Sequence, residues 1–356
     1  YDGMVTERFK ILRSLRPKAP LEVLRAQAKR QFELILRIAG VNRDILLDNM
    51  RSEGIDASLS ANGAVRVAMT PREERGLADD AARATARGVP MSMLEPAQAD
   101  AALGATPGSN ARAARYSAQD GNYHPFQYVI GALKAALARG VELHSRTPVT
   151  RLKRLDGGGH AVVTTRGTIR AKTVILATNG FTSKLVPELS DIAPYRSQVM
   201  TTEHAPHRWN KMTYTTEKGD LSGHYPLHGS YEDGQIRRGV LLLGGGKDRP
   251  VRSTGKMRRS SWPLRKVLRY RDLLAPELAG VPPSSVWHGV MGFTPDRLPV
   301  VGAMRAGLLV AAGFNGYGGT YTQAAAHAVV ELLLSGRHPD WMPEETFSPR
   351  RFRAKP

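Results

Sequence analysis

Cysteine is absent from the 356 residues, which excludes a disulfide framework, a thiolate metal site and a thioether link to a cofactor. A reducing, cytoplasmic setting is expected. No apolar run approaches the roughly 18 residues that a membrane-crossing helix needs. The opening Tyr1-Asp-Gly-Met-Val-Thr-Glu-Arg-Phe-Lys10 lacks the apolar core of a secretory signal. No cluster of His, Asp and Glu has metal-ligand spacing, and no Gly-x-Ser-x-Gly turn offers a hydrolytic nucleophile, so neither a metal nor a serine-hydrolase site is expected. A Gly-x-Gly-x-x-Gly phosphate-binding turn is missing throughout; Gly157-Gly-Gly159 and Gly244-Gly-Gly246 lack its spacing. Acidic residues are scarce, 32 against 51 Lys and Arg, for a net charge of +19.

What is present suits an α/β or α+β globule of about two domains. The densest basic run, Arg252 to Arg271, contains no acid. Beyond Pro263, Leu264, Val267, Leu268 and Leu273 recur at helical spacing, which places Arg265, Lys266, Arg269 and Arg271 on the wet face of an amphipathic helix. Leu21 to Met50 carries a helical pattern that Gly40 is expected to kink or interrupt. Ile55 to Met69 reads as two strands around the hairpin dipeptide Asn62-Gly63. Thr70-Pro71 starts a helix, with Thr as N-cap and Pro at the first helical position, running to about Arg87 before Gly88. Met91 to Ala102 offers a short helix and Gly104 to Ala114 a small-residue loop.

Gly121 to Gly140 is a turn and a helix, followed by a strand at Val141-Glu-Leu-His144. Val149 to Leu155 and Ala161 to Thr165 form a hairpin. Thr168 to Ala177 ends as a near-continuous apolar strand, the pattern of a buried parallel strand. Pro194 to Ser285 breaks into sheet-forming pieces with polar loops: Ser197 to Thr202, Tyr214 to Tyr225 and Val240 to Gly246.

The most informative stretch is Trp287-His-Gly-Val-Met-Gly-Phe-Thr-Pro-Asp-Arg-Leu-Pro-Val-Val-Gly302, then Gly307-Leu-Leu-Val-Ala-Ala-Gly-Phe-Asn-Gly-Tyr-Gly-Gly-Thr320. It reads as strand, turn, apolar strand, glycine loop and a helix opening near Tyr321. Such a loop presents backbone N–H groups and a helix N-terminus to a ligand edge that bears negative charge. The pair of segments resembles the flavin-contacting end of the D-amino-acid oxidase superfamily, which contains glycine oxidase, sarcosine oxidase, D-amino-acid dehydrogenases and γ-glutamylputrescine oxidase. Gly121 to Ala177 is similar to the family's middle cofactor segment, and Ala177-Thr-Asn-Gly180 to the turn that approaches the cofactor.

The resemblance implies a Rossmann-like FAD-binding domain, here without its N-terminal unit, and a second, mixed-sheet substrate domain. Residues 1–54 would be a helical part that follows the first βαβ unit. Residues 55–115 and 196–285 would build the substrate domain. Residues 116–195 and 286–345 would form the middle and C-terminal segments of the cofactor domain, and 346–356 the tail. The implied contacts to noncovalent FAD are Val149, Ala177, Thr178, Asn179, Phe314, Asn315, Gly316, Tyr317, Gly318, Gly319 and Thr320. Tyr317 stands where family members often carry His. A fragment, a cleaved chain and a split enzyme whose second subunit supplies the dinucleotide-binding unit would each explain the missing glycine turn; a fragment is the expectation. The parallel sheet would then expose apolar edges.

Asp296 and Arg297 are expected to pair with each other in the turn. Met291 fills the place of the carboxylate-clamping Arg of one family branch and the flavin-linked Cys of another. That points to the γ-glutamylputrescine oxidase branch and an amine-type substrate. Arg196 and Arg297 are the alternative carboxylate binders, with Met291 a further substrate contact. His288 and Tyr225 are the catalytic candidates, with His224, His228 and Tyr231 as further polar residues near the pocket. The function implied is oxidation of an amine or amino-acid C–N bond by hydride transfer to flavin N5. Two rivals stand beside it: a tRNA-modifying member of the superfamily, favoured by the charge, and a non-catalytic subunit that needs a partner to hold FAD.

Overall fold

The computed structural model describes residues 2–61, 63–86, 88–103, 111–205, 213–216, 224–227, 231–232, 235–236, 239–245, 261–274, 276 and 279–352. Two helices come first, α1 (Asp2–Leu15) and α2 (Leu21–Ser52), packed through Leu12, Leu24 and Ala28. Next are β1 (Ala64–Ala68), α3 (Pro71–Thr85), β2 (Met91–Leu94), α4 (Pro96–Leu103), β3 (Ala113–Ser117) and α5 (Pro125–Ala138). The middle holds β4 (Val149–Arg154), β5 (His160–Thr164), β6 (Gly167–Ala171), β7 (Val174–Leu176) and the short α6 (Thr182–Leu185). Then come β8 (Ala193–Ala205), β9 (Thr213–Thr216), β10 (His224–Leu227), β11 (Tyr231–Glu232), β12 (Gln235–Ile236), β13 (Gly239–Gly245), α7 (Ser261–Leu274) and β14 (Ser285–Phe293). The last elements are β15 (Val300–Arg305), β16 (Leu308–Ala312), α8 (Gly318–Ser335) and α9 (Glu344–Phe347).

An eight-stranded mixed sheet, ordered β14-β8-β13-β10-β9-β1-β3-β2, joins the early strands to the long β8 and β14. A three-stranded sheet, β15-β16-β7, sets β7 parallel to β16, and β4-β5-β6 is an antiparallel meander. Between helices and the small sheet, Ile38 of α2 packs with Leu298, Val301, Leu309 and the α8 residues Tyr321, Ala324, Ala325, Ala328 and Val329. The alanines on that face let α2 approach α8 closely, and the contact places the α8 N-terminus at the end of β16.

Several local expectations give way to tertiary packing. α2 runs unbroken through Gly40; contacts to α8 on either side outweigh the roughly 1 kcal/mol a glycine costs a helix. The Asn62-Gly63 hairpin does not form. β1 pairs with β3 and β9, while Ser60 bridges Asn122; Asn62 itself lies outside the described residues. Gly63 serves a different purpose there: a β-carbon would come within 2.7 Å of the Ser117 carbonyl on β3. Met91–Leu94 is a strand on β3 and the helix starts only at Pro96. Val141–His144 joins no strand, and Val141 and Leu143 are exposed. The Thr70 cap does form, its hydroxyl accepting from the Glu73 N–H at 3.3 Å.

The wet face assigned to α7 needs correction at one residue. Arg265 and Arg269 are exposed, but Arg271 is only 2 % exposed. Its guanidinium donates to Asp272 at 2.7 and 2.8 Å and to the Val281 carbonyl. A buried guanidinium is tolerated because its donors are matched by a carboxylate and a carbonyl. Arg252 to Ser260 lie outside the described residues, and no helix of the described residues is long and apolar enough to cross a membrane.

His160, on β5, is 1 % exposed, and neither ring nitrogen has a hydrogen-bond partner among the described residues. Burial, reinforced by Arg305 and Arg154, holds its pKa below the usual histidine value. The native state keeps the ring neutral, whereas the unfolded chain takes up a proton near about pH 6.5. Its contribution to stability is therefore complete above about pH 6.5 and is lost as the pH falls below it. His160→Leu is expected to flatten the fall of the urea midpoint between about pH 7 and 5; equal slopes in wild type and variant would contradict this.

Candidate functional site

Residues 292–298, 313–319 and 177–180 meet at one place, held mainly by two asparagines. Asn179 (φ 43°) and Asn315 (φ 57°) both take the left-handed conformation, as do Gly313 and Gly316. Asparagine is the side-chain-bearing residue that tolerates this region best, because its amide bonds back to local backbone. The Asn179 Oδ1 accepts from the N–H of Gly313 at 3.1 Å, which ties the end of β7 to the loop after β16. Asn315 donates its N–H to the Gly292 carbonyl at 2.8 Å and its side-chain amide to the Gly313 carbonyl at 2.6 Å. Its Oδ1 accepts from the Thr294 N–H at 2.8 Å. The loop that carries Phe314 and Gly316 is thus fixed from both sides.

Beyond the loop, the Tyr317 N–H bonds the Phe314 carbonyl and the Thr320 N–H bonds the Tyr317 carbonyl. The N–H groups of Gly316, Gly318 and Gly319 have no acceptor among the described residues; Gly316 belongs to the loop, and Gly318 and Gly319 are first-turn helix donors, which lack intrahelical partners. A β-carbon on Gly316 would stand 3.6 Å from the Met291 sulfur and 3.8 Å from the Phe293 ring, and one on Gly319 would be 4.0 Å from the Tyr123 hydroxyl. Gly316 and Tyr317 are exposed, Tyr317 at 64 %. The Tyr321 phenol, one turn inside, is buried, and burial pushes its pKa up, so it stays protonated.

The Thr294–Leu298 turn rests on a buried ion pair. Arg351 donates to both carboxylate oxygens of Asp296, at 2.8 and 3.1 Å, and to the Leu298 carbonyl at 2.8 Å. Arg8 of α1 donates to the Asp296 carbonyl and to Gln31. The expected Asp296–Arg297 pair is therefore corrected: Arg297 (φ 58°) is exposed, its guanidinium 5.0 Å from the Phe293 ring centroid. Arg351 lies 55 residues from Asp296, so no local spacing announces it.

β14 and β8 run in unbroken antiparallel register, so directly opposed residues share a face. Met291 opposes Tyr195, whose ring stacks edge-on against Phe293 at 4.9 Å. His288 opposes Gln198 and Val290 opposes Arg196. His288 is three positions from Met291 and Arg196 one position from Tyr195, so both belong to the other face of the sheet. Tyr225 belongs to β10, opposite Leu242 on β13, with two strands between it and β14. His224 is also on β10, Tyr231 is on β11 of the separate β11-β12 ribbon, and His228 lies outside the described residues. Val149 starts β4, exposed and paired with Thr164, and Ala177 is exposed at the end of β7. The Thr178 hydroxyl is 2.9 Å from that of Thr182. Among the described residues no group of His, Asp and Glu could hold a metal ion.

Backbone donors that close one strand and open a helix can receive charge on the edge of a nucleotide cofactor's ring, and this arrangement is of the cofactor-binding kind. The chain belongs to the DAO family, the FAD-dependent oxidoreductases, whose family model matches residues 10–332. It is 28% identical over 220 residues to gamma-glutamylputrescine oxidoreductase of Escherichia coli, covering 60% of this chain and 48% of that one. It is 25% identical over 329 residues to a D-amino acid dehydrogenase of a Methylobacterium species, covering 90% and 74%. The fold matches glycine oxidase from Geobacillus kaustophilus with a TM-score of 0.73 at 22% identity, over 89% of this chain and 82% of that one. The chain spans about half the length of the first curated relatives it matches, 47% and 48%.

FAD is the cofactor of the family, and the open N–H groups of Gly316, Gly318 and Gly319 fit a ring edge that gains negative charge. Two variants test the frame around them. A β-carbon at position 292 would lie 2.8 Å from the Asn179 Oδ1 and 3.0 Å from the Gly180 N. Gly292→Ala is expected to destabilise the fold by about 1–3 kcal/mol, read as a lowered urea midpoint. Asp296→Ala leaves the buried Arg351 without its carboxylate and is expected to cost about 3–5 kcal/mol; a midpoint near wild type would show that the ion pair does not hold the turn.

Proposed function

We propose that this chain carries the flavin-binding and substrate-facing parts of an enzyme that oxidises the C–N bond of an amine or amino acid. The observation that carries the reading is the set of open glycine N–H groups at the α8 N-terminus, aimed by Asn179 and Asn315. When bound, FAD supplies the hydride acceptor at N5 of its ring. The residues proposed to hold it are Ala177, Thr178 and Asn179 on one side and Phe314 to Thr320 on the other, without a covalent link, with Val149 at the adenine end. The N–H groups of Gly316, Gly318 and Gly319 stabilise negative charge at the ring edge, which favours substrate oxidation.

Met291, Tyr195 and Phe293 give the substrate face an apolar wall, which suits a neutral amine. The α-carbon gives up a hydride, the nitrogen lone pair forms the C=N bond, and the imine hydrolyses to a carbonyl compound and ammonia or a smaller amine. Arg297, next to Phe293, is the arginine better placed to meet a substrate carboxylate; Arg196 belongs to the other face of the sheet. That placement also leaves His288 remote from the wall, and the positioning of a neutral amine against the ring is the main catalytic contribution.

Apolar side chains stand exposed on several elements: Phe126, Val129 and Leu137 on α5, Val141 and Leu143 after it, Ile175 on β7, and Val330 and Leu334 on α8. β7 pairs only with β16 among the described strands. A strand–glycine turn–helix unit, on the same polypeptide or a second one, would cover such a surface and supply the pyrophosphate contact. A cytoplasmic setting is part of the same proposal. Arg151, Lys153 and Arg170 on the β4–β6 meander form no ion pair among the described residues, which favours nucleic acid as the second reading. It predicts binding that falls steeply with salt.

The test is the visible spectrum of the purified chain, as isolated and with excess FAD. A resolved flavin band near about 450 nm that bleaches anaerobically on adding an amine is expected. A chain that takes up no FAD, alone or with a dinucleotide-binding unit supplied, would overturn the reading.

A further inference from the structure

Asn42 interrupts an apolar stripe of α2, between Ile38 one turn before and Leu46 one turn after, and is 2 % exposed. A leucine there would bury without desolvating an amide, so the polar group needs a reason. Its side chain reaches α8. The amide nitrogen donates to the Gly319 carbonyl at 2.7 Å, and Oδ1 accepts from the N–H groups of Gln323 at 2.9 Å and Ala324 at 3.2 Å. Both lone pairs of the amide oxygen are thereby used. In an α-helix the carbonyl of residue 319 is the usual acceptor for the N–H of residue 323. Asn42 therefore engages both halves of one helical rung from outside the helix.

A side chain inserted into the hydrogen-bond ladder changes the direction of a helix at that point. The carbonyl of that rung belongs to the first turn of α8, the turn whose open donors are the N–H groups of Gly318 and Gly319. Gln323 is anchored in turn, its Oε1 accepting from the Tyr128 hydroxyl at 3.0 Å and from Asn49 at 3.3 Å. Asn49 belongs to the same polar patch, and its hydrogen bonds go to the Tyr128 hydroxyl and the Gln323 side chain rather than to α8 backbone.

We propose that Asn42 is a positioning residue that aims the N–H groups of Gly318 and Gly319 at the flavin edge by bracing the first turn of α8 from α2. The proposal rests on the reading that this turn meets FAD. Asn42 touches neither cofactor nor substrate. Its effect falls on reduced more than on oxidised FAD, because the reduced ring carries the negative charge that the donors stabilise.

The experiment compares wild type, Asn42→Leu and Asn49→Leu in two measurements. In the FAD-loaded protein, Asn42→Leu is expected to weaken the preference for the reduced form about tenfold, lowering the two-electron potential by about 30 mV, with Asn49→Leu at the wild-type value. In the FAD-free chain, the amides of Gln323 and Ala324 are expected to exchange about tenfold faster in Asn42→Leu alone. Asn42→Asp, which keeps the acceptor half of the bridge, is expected to retain slow exchange at both amides, and serves if the leucine variant does not fold. A potential unchanged in Asn42→Leu, or lowered equally in Asn49→Leu, overturns the proposal while the flavin reading stands. A wild-type protein that never holds FAD overturns that reading, and the proposal with it.

Discussion

The site depends on one constraint: a loop that is neither helix nor strand must satisfy its buried backbone groups without closing off the donors it presents. Asn315 meets most of that demand. Its N–H, carboxamide oxygen and carboxamide nitrogen bond Gly292, Thr294 and Gly313, three residues from two separate segments. Asn179 does the same from the end of β7. Because these side chains absorb the local hydrogen bonding, Gly316, Gly318 and Gly319 are left with N–H groups that have no acceptor among the described residues. An unpaired buried donor costs free energy; an exposed one at a helix N-terminus is ready to bind charge.

The supports of this loop are layered. Arg351 and Arg8 lock the Thr294–Leu298 turn from the C-terminal and N-terminal ends of the chain, α8 packs on α2 through small residues, and Asn42 bridges the two helices. A site made of backbone donors is sensitive to sub-ångström placement, so rigid elements behind the loop matter as much as the loop itself. The large positive charge is distributed unevenly with respect to burial. Arg8, Arg271 and Arg351 are inside and matched by carbonyls or carboxylates, while cations such as Arg265 and Arg269 are solvated.

Much of the local structure was legible in the chain because its signals are short-range. Glycines and asparagines in the 313–319 loop imply left-handed backbone, an apolar run implies β16, and Thr70-Pro71 marks a helix start. Long-range choices were not legible. Asn62-Gly63 carries hairpin chemistry, yet β1 finds β3 and β9 instead, since pairing within the larger sheet satisfies more backbone than a two-strand ribbon. Arg271 sits at a position that helical spacing assigns to solvent, and the Val281 carbonyl, brought in from beyond the helix, joins Asp272 in making burial tolerable. Asn42 left a faint signal, a polar residue in an apolar stripe, but its partner is 277 residues away.

The amino-acid sequence by itself determined the alternation of helices and strands, the glycine loop, its family resemblance and the absence of thiol chemistry, because each follows from residue type and short-range spacing. The tertiary structure alone decided which carboxylate meets which guanidinium, which face of β14 carries Met291 and which His288, and how α2 braces α8. Those outcomes depend on strand register and helix contact between residues far apart in the chain. Local propensity has no access to them, because the competing arrangements are locally equivalent and differ only in what they bury together.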